Sequence, residues 1–182
     1  MANEENLDAV LKRYQQSFID KVYSEENDDH DLLMQAFGIS PQLKRENRQY
    51  WGRELGKCWE SLVIEACKNV DTFKPALRIE GDEPCDLRVA GYAIDTKYRV
   101  GSGDSGTLKK FKQYGPLLRE HGYEPVFLFL REDNLRAAMT ACETGGWSIY
   151  IGKDSFDFIK SISGFDMEEY LIKKAKAFLV NR

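Results

Sequence analysis

Leu7, Val10, Leu11, Tyr14, Phe18 and Val22 recur at helical spacing along "ENLDAVLKRYQQSFIDKVY", which predicts an amphipathic helix running into the acidic turn "SEENDDHD". A shorter helix is expected in "LLMQAFGISP", closed near Gly38 and Pro41. From Glu46 to Lys68 the pattern strengthens, with Trp51, Leu55, Cys58, Trp59, Leu62, Val63 and Ala66 forming one broad helical stripe. Then the period changes. "PALRI", "CDLRV" and "YAIDTKY" read as extended pieces, the last two joined by a tight hairpin at Ala90 and Gly91. After a small-residue loop over Gly101 to Gly106, the pattern predicts a basic helix from Thr107 to His121 and an apolar strand "PVFLFL". A helix from Asn134 to Thr144, a strand "WSIYI" and two closing helices, Asp154 to Ser161 and Met167 to Val180, complete the chain.

"PVFLFL" is apolar at successive positions, which suits a central strand covered on both faces, whereas the three earlier pieces look like an antiparallel meander. The expected fold is therefore α/β, a mixed central β-sheet flanked by helices, with an N-terminal helical appendage. It is read as a single domain over 1–182, with a helical extension at 1–44, a core carrying the chemistry at 45–151, and closing helices at 152–182.

Composition narrows the class. A chain of 182 residues with 42% apolar side chains can bury a core without staples. Cys58, Cys67, Cys85 and Cys142 are scattered without a CxxC pair, and only His30 and His121 are there to join them, which argues for reduced thiols and against zinc. There is no basic start followed by an apolar run, and no apolar stretch of membrane-spanning length, so a soluble cytoplasmic protein is expected.

The net charge of −4 hides an uneven distribution. Residues 1–31 hold nine acids against three bases, which leaves the rest of the chain at +2. Between Lys97 and Arg119 six bases face one acid, Asp104. Such a run is either a solvated helix face or a surface for a polyanion.

The chemistry concentrates in "EPCDLRVAGYAIDTKYR", Glu83 to Arg99. Alternation along a strand puts Ala93, Asp95 and Lys97 on one face. Asp86 lies across the hairpin from Asp95, so pairing of the two strands brings two carboxylates together, and like charges at that distance repel. A divalent cation resolves the conflict. Magnesium prefers hard oxygens, few protein ligands and retained waters, and the backbone carbonyl of Thr96 offers a third oxygen. Lys97 then faces a water nucleophile or a phosphoryl oxygen, the outline of a phosphodiester-cleaving site. The ordinary alternatives are a surface Asp95–Lys97 ion pair and a turn-capping Asp86.

"P-C-D" at Pro84 to Asp86 followed by "D-T-K" at Asp95 to Lys97, set in a helix, strand, strand, strand, helix, strand order, resembles the PD-(D/E)XK nuclease superfamily. Cys85 between Pro84 and Asp86 departs from the usual pattern and leaves Asp82 as a second choice of first ligand. From Arg45 to Leu135, and above all in "RENRQYWGRELGKCWESLVIEACK" and the stretch from "DEPCDLRV" to "FLREDNL", the chain resembles the ApaLI-like type II restriction endonucleases. The resemblance implies a restriction-endonuclease-like core and a prokaryotic homodimer that cuts double-stranded DNA at a short palindrome. It also implies a magnesium cofactor, with manganese an expected substitute, and a companion DNA methyltransferase in the host. Superfamily members often carry a glutamate on the first core helix, a place that Glu60, or Glu54 on the other edge of the stripe, would fill.

On this reading Asp86, Asp95, Lys97 and Glu60 are catalytic, and Asp86, Asp95 and the Thr96 carbonyl hold metal. Arg99, Ser102, Lys109, Lys110, Lys112, Arg48 and Arg53 face DNA, the lysines through phosphates and therefore without sequence choice. "GSGDSG" lacks the spacing of a nucleotide-binding loop. It is either plain flexible chain or a place where backbone amides approach DNA, with the next helix N-terminus aimed at a phosphate. A hydrolytic triad from His121, Ser102 and Asp104 lacks a nucleophile elbow and is set aside. A repair or recombination nuclease of the same superfamily and a non-catalytic DNA-binding module remain the competing functions.

Overall fold

The computed structural model describes residues 4–19 and 21–180. Eight helices and five strands are found there: α1 (Glu4–Ile19), α2 (Leu32–Phe37), α3 (Pro41–Glu46), α4 (Arg48–Cys67), β1 (Lys74–Ile79), β2 (Asp82–Val89), β3 (Tyr92–Lys97), α5 (Ser105–Glu120), β4 (Glu124–Phe129), α6 (Arg136–Thr144), β5 (Ser148–Ile151), α7 (Lys153–Ser163) and α8 (Met167–Lys173). The strands form one sheet in chain order, with β1, β2 and β3 antiparallel and β3, β4 and β5 parallel. The α/β class and the mixed sheet flanked by helices are therefore as the sequence predicts.

Two apolar layers cover the sheet. Leu87, Ile94, Val126 and Leu128 point toward α4, α7 and α8, where Trp59, Val63, Phe156 and Ile159 meet them. Ala93, Phe127 and Phe129 point the other way, toward Phe111 and Leu118 of α5 and Ala138 and Cys142 of α6. Burial on both faces explains why "PVFLFL" has no polar alternation. The Trp59 indole N–H donates to the Leu128 carbonyl at 3.2 Å, pinning α4 to the strand beside β3.

Three details differ from the sequence expectation. Pro41 opens a helix instead of closing one, because Ser40 caps it by accepting the Leu43 N–H and proline suits the first helical turn. The final helix stops at Lys173, and the chain beyond it runs along α2, with the Phe178 N–H donating to the Ala36 carbonyl at 3.1 Å. The closing helices and α2 are thus parts of the same core layer as α4. The third concerns α1. Its helical spacing is as expected, but the apolar stripe packs on nothing among the described residues: Leu11 is 67% and Phe18 73% exposed. Leu7, a member of the predicted stripe, lies outside the residues whose side chains are described.

Candidate active site

The hairpin between β2 and β3 turns at Ala90 and Gly91, both at positive φ, and its ladder pairs Val89 with Tyr92, Arg88 with Ala93 and Leu87 with Ile94. No further pair follows. Cys85 belongs to the layer under α5 and α6 while Leu87, two residues on, belongs to the layer under α4, so β2 changes layers at Asp86. There the Asp86 carboxylate takes the place of a backbone partner: its Oδ2 accepts both the Thr96 N–H and the Thr96 hydroxyl at 2.7 Å. The sequence reading missed this use of Thr96.

Backbone N–H and C=O of one strand residue lie on the same edge. The Lys97 carbonyl accepts from Leu130 on the β4 side, so the Thr96 carbonyl faces β2, toward Asp86. Asp95 points into the layer of Phe127, its partner on β4, and is only 8% exposed. Its Oδ1 is paired with Lys97 Nζ. Asp86 Oδ1 and Asp95 Oδ2 have no hydrogen-bond donor among the described residues, so the oxygens open to a cation are these two and the Thr96 carbonyl.

Electrostatics tie four groups together. Burial raises the Asp95 carboxyl to about 7, against the pull of Lys97, and the charges of Asp86 and Glu60 push in the same direction. Glu60 is also raised, first by burial and then by Asp86. Burial works against the Lys97 ammonium, yet Asp95, Asp86 and Glu60 hold its pKa above the ordinary value. Glu54, the other candidate on α4, sits instead on the surface with Arg53 at 3.0 Å and Lys57 at 3.4 Å. Among the described residues no three His, Cys, Asp or Glu side chains close into a metal cage.

Asp95 and Lys97 open on a cleft of about 240 Å³ whose walls include Asp82, Glu83, Lys110 and Tyr114. Asp82 is not a fourth member of the cluster: it is exposed and pairs with Lys110 at 3.1 Å. The three α5 lysines part company. Lys110 faces the cleft with Thr107 and Tyr114, three and four positions away, whereas Lys109 and Lys112 are exposed outside its lining. The N-terminus of α5 is capped by the chain's own Asp104, which accepts the Thr107 N–H at 2.8 Å and the Thr107 hydroxyl at 2.7 Å. The expected phosphate position there is thus held by a carboxylate. His121 lies at the other end of the same sixteen-residue helix, so the triad it would share with Ser102 and Asp104 does not assemble.

Arg99 also differs from expectation. Its Nε donates to Asp133 and one terminal nitrogen to Ser24, each at 3.0 Å, so two of its three nitrogens are committed inside the protein. It belongs to a polar network that straps residues 23–31 over the end of β3. Arg131, 3% exposed, donates to Asp31 at 3.1 Å and Asp133 at 2.8 Å. Lys44 pairs with Glu26 and donates to the Tyr98 hydroxyl at 2.7 Å, while that hydroxyl donates to Asp31 at 2.5 Å. The Ser24 N–H donates to the Gly101 carbonyl at 2.9 Å, and Tyr23 bridges Ser102. No periodicity announces this network, because its members come from four separate segments. Ser102, Arg48 and Arg53 line a second groove between the strap and α4.

Comparisons with protein-family models, curated proteins and solved structures find no match to this chain. The meaning of the site therefore rests on its own geometry. Burial raises the Cys67 and Cys85 thiols to about 11 and Cys142 to about 12, so these cysteines are poor nucleophiles and poor metal ligands at neutral pH. No helix among the described residues is long and apolar enough to cross a membrane.

Proposed function

We propose that this chain is a magnesium-dependent endonuclease of the type II restriction kind, with a restriction-endonuclease-like core, cutting double-stranded DNA at a short palindromic sequence. The observation that carries the reading is the pairing of Asp95 with Lys97 beside Asp86 at the open end of the β2–β3 ladder, with Glu60 of α4 near enough to act on both charges. Three carboxylates against one ammonium form a charge conflict that burial sharpens. Two free aspartate oxygens and one carbonyl suit an ion that binds few protein ligands and keeps its waters, better than zinc or calcium, which ask for a fuller cage.

A bound divalent cation would supply Lewis acidity toward water and toward the phosphoryl oxygens. The residues supply the rest. Asp86, fixed by two hydrogen bonds from Thr96, holds one carboxylate oxygen in place without side-chain freedom. Lys97, held charged by its neighbours, orients a water by hydrogen bonding and stabilises the charge that develops on phosphate. Glu60 sets the field at Asp95 from α4. Exposed Lys109 and Lys112 beside the cleft offer salt-sensitive contacts to the DNA backbone. A palindrome has two equivalent strands, so the working unit is a homodimer with one site for each.

The test is digestion of a long phage DNA with magnesium, with EDTA, and with Asp95→Ala in magnesium. Discrete fragments that require both the metal and Asp95 are expected, and the sequenced ends give the recognition site. Smearing or structure-dependent nicking would move the assignment to repair or recombination. Tight binding without cutting in magnesium or manganese would make the chain a DNA-binding module.

A further inference from the structure

The groove between the strap and α4 has a volume of about 560 Å³ and a different character from the cleft of Asp95. Its floor is the first half of α4. Gln49, Gly52, Gly56 and Glu60 follow one another at spacings of three and four, with Arg53 one turn on from Gln49, so this helix face leads from the groove toward Glu60. Arg48 and Gln49 are exposed, and neither side chain has a hydrogen-bond or ion-pair partner among the described residues. Across from them Glu25 is exposed and likewise unpaired, while Glu26 beside it is taken by Lys44.

Gly52 is an anomaly. Glycine inside a helix is destabilising relative to alanine. A Cβ at this position would meet nothing within 4 Å, so packing does not require its absence. The space it leaves opens on the groove. The side chains around it also differ from a phosphate-binding surface, which presents donors alone. Arg48 and Gln49 donate, Gln49 also accepts, and Glu25 only accepts. Mixed donors and acceptors match the edge of a base pair, where guanine offers two acceptors, adenine one of each, and cytosine a donor.

We propose that this groove reads base edges of duplex DNA through Arg48, Gln49 and Glu25, with Gly52 admitting the DNA closely; the assignment rests on the nuclease reading of the adjoining cluster. The division of labour is spatial. Sequence choice belongs to the N-terminal half of α4, and sequence-independent affinity belongs to Lys109 and Lys112 on α5.

The experiment is selection from a randomised duplex library by the full chain in calcium, comparing wild type with Arg48→Lys, Gln49→Ala, Lys109→Ala and Lys112→Ala. Arg48→Lys keeps the charge and loses the planar fork, so a phosphate contact would survive it and a bidentate base contact would not. Wild type is expected to enrich one motif. Arg48→Lys and Gln49→Ala should each relax one position of that motif by roughly 5- to 100-fold, and the α5 variants should weaken all sequences alike. An unchanged motif in both α4 variants, or no motif with wild type, overturns the proposal. Digestion of the selected duplex in magnesium separates the two claims: a motif without cutting sinks the nuclease and leaves the groove as reader, while cutting with an unchanged motif does the reverse.

Discussion

Asp95 and Lys97 stand on one polar cluster and Tyr98 and Arg99 on another, so a single strand end carries both. In the strap network Glu26, Asp31 and Asp133 meet Lys44, Arg99 and Arg131, one cation for each carboxylate. In the site cluster Asp86, Asp95 and Glu60 meet Lys97 alone. The contrast appears in the acids themselves. Asp133 is held below the ordinary carboxylate range by Arg131 and Arg99 although burial opposes it, whereas burial pushes Asp95 up to about 7 with Lys97 too little to offset it. A chain that can balance buried charge so fully in one place and leaves it unbalanced a few ångströms along has a use for the imbalance. On the proposed reading, one divalent cation would make good the deficit of two positive charges.

The largest effect should come from breaking the balanced cluster. Arg131→Met leaves Asp31 and Asp133 buried without their main cation and removes the donor to the Asn27 and Asp29 carbonyls, so a loss of about 3–5 kcal/mol is expected. Urea unfolding gives the number, and limited proteolysis should find new cleavage within residues 23–31. A loss under about 1 kcal/mol would mean that the strap is decoration.

The unbalanced cluster should respond in the opposite sense. Because the folded pKa of Asp95 is raised, its protonated form is the one the fold favours. That contribution is complete below the unfolded carboxyl value near 4 and is lost as pH rises toward 7. In EDTA, Asp95→Asn should therefore unfold later than wild type at pH 8, by about 2–4 kcal/mol, with the gap closing by pH 4. Asp133→Asn should show the mirror image, since a depressed carboxyl contributes stability at pH 7 that is lost as pH falls through its folded value. On the proposed reading magnesium also stabilises wild type, by about 2.7 kcal/mol at a hundredfold excess over its Kd, and leaves Asp95→Asn unchanged. Two profiles of the same slope would dissolve the distinction between the clusters.

How much of this could be read from the chain differs between the two clusters for a physical reason. The site residues lie on neighbouring strands joined by a two-residue turn, so alternation and hairpin register place Asp86, Asp95 and Lys97 together without knowledge of anything distant. The mixed sheet, its hairpin and its doubly covered strand were legible on the same principle, because periods of two and 3.6 report buried faces directly, whereas the place of α2 in the core layer was not. The strap network was not legible. Asp31 and Arg131 are a hundred residues apart, and nothing local to "SEENDDHD" or "REDN" says that they meet. Arg99 also looks free in the sequence, and only the fold shows two of its nitrogens held by Asp133 and Ser24. The stripe on α1 was legible as a helix and silent about packing, because amphipathicity is equally present whether or not a partner covers it.

The smallest effects fall on the two glutamates of α4, and they sharpen the comparison most finely. Glu60→Gln takes one negative charge from the unbalanced cluster. It should lower the pKa of Asp95, gain a few tenths of a kcal/mol in EDTA at pH 8 and, on the proposed nuclease reading, reduce cutting roughly 10- to 100-fold, as loss of a supporting partner does at metal sites. Glu54→Gln removes only a solvent-screened pair with Arg53 and Lys57, so it should leave both the urea midpoint and cutting nearly unchanged. Both residues are glutamates inside one helix, so helix propensity cannot explain a difference between them. If urea midpoints and cutting rates move together in the two variants, Glu60 is a surface carboxylate and the cluster reduces to Asp86, Asp95 and Lys97. If only Glu60→Gln loses rate while gaining stability, the imbalance itself is the feature the fold preserves.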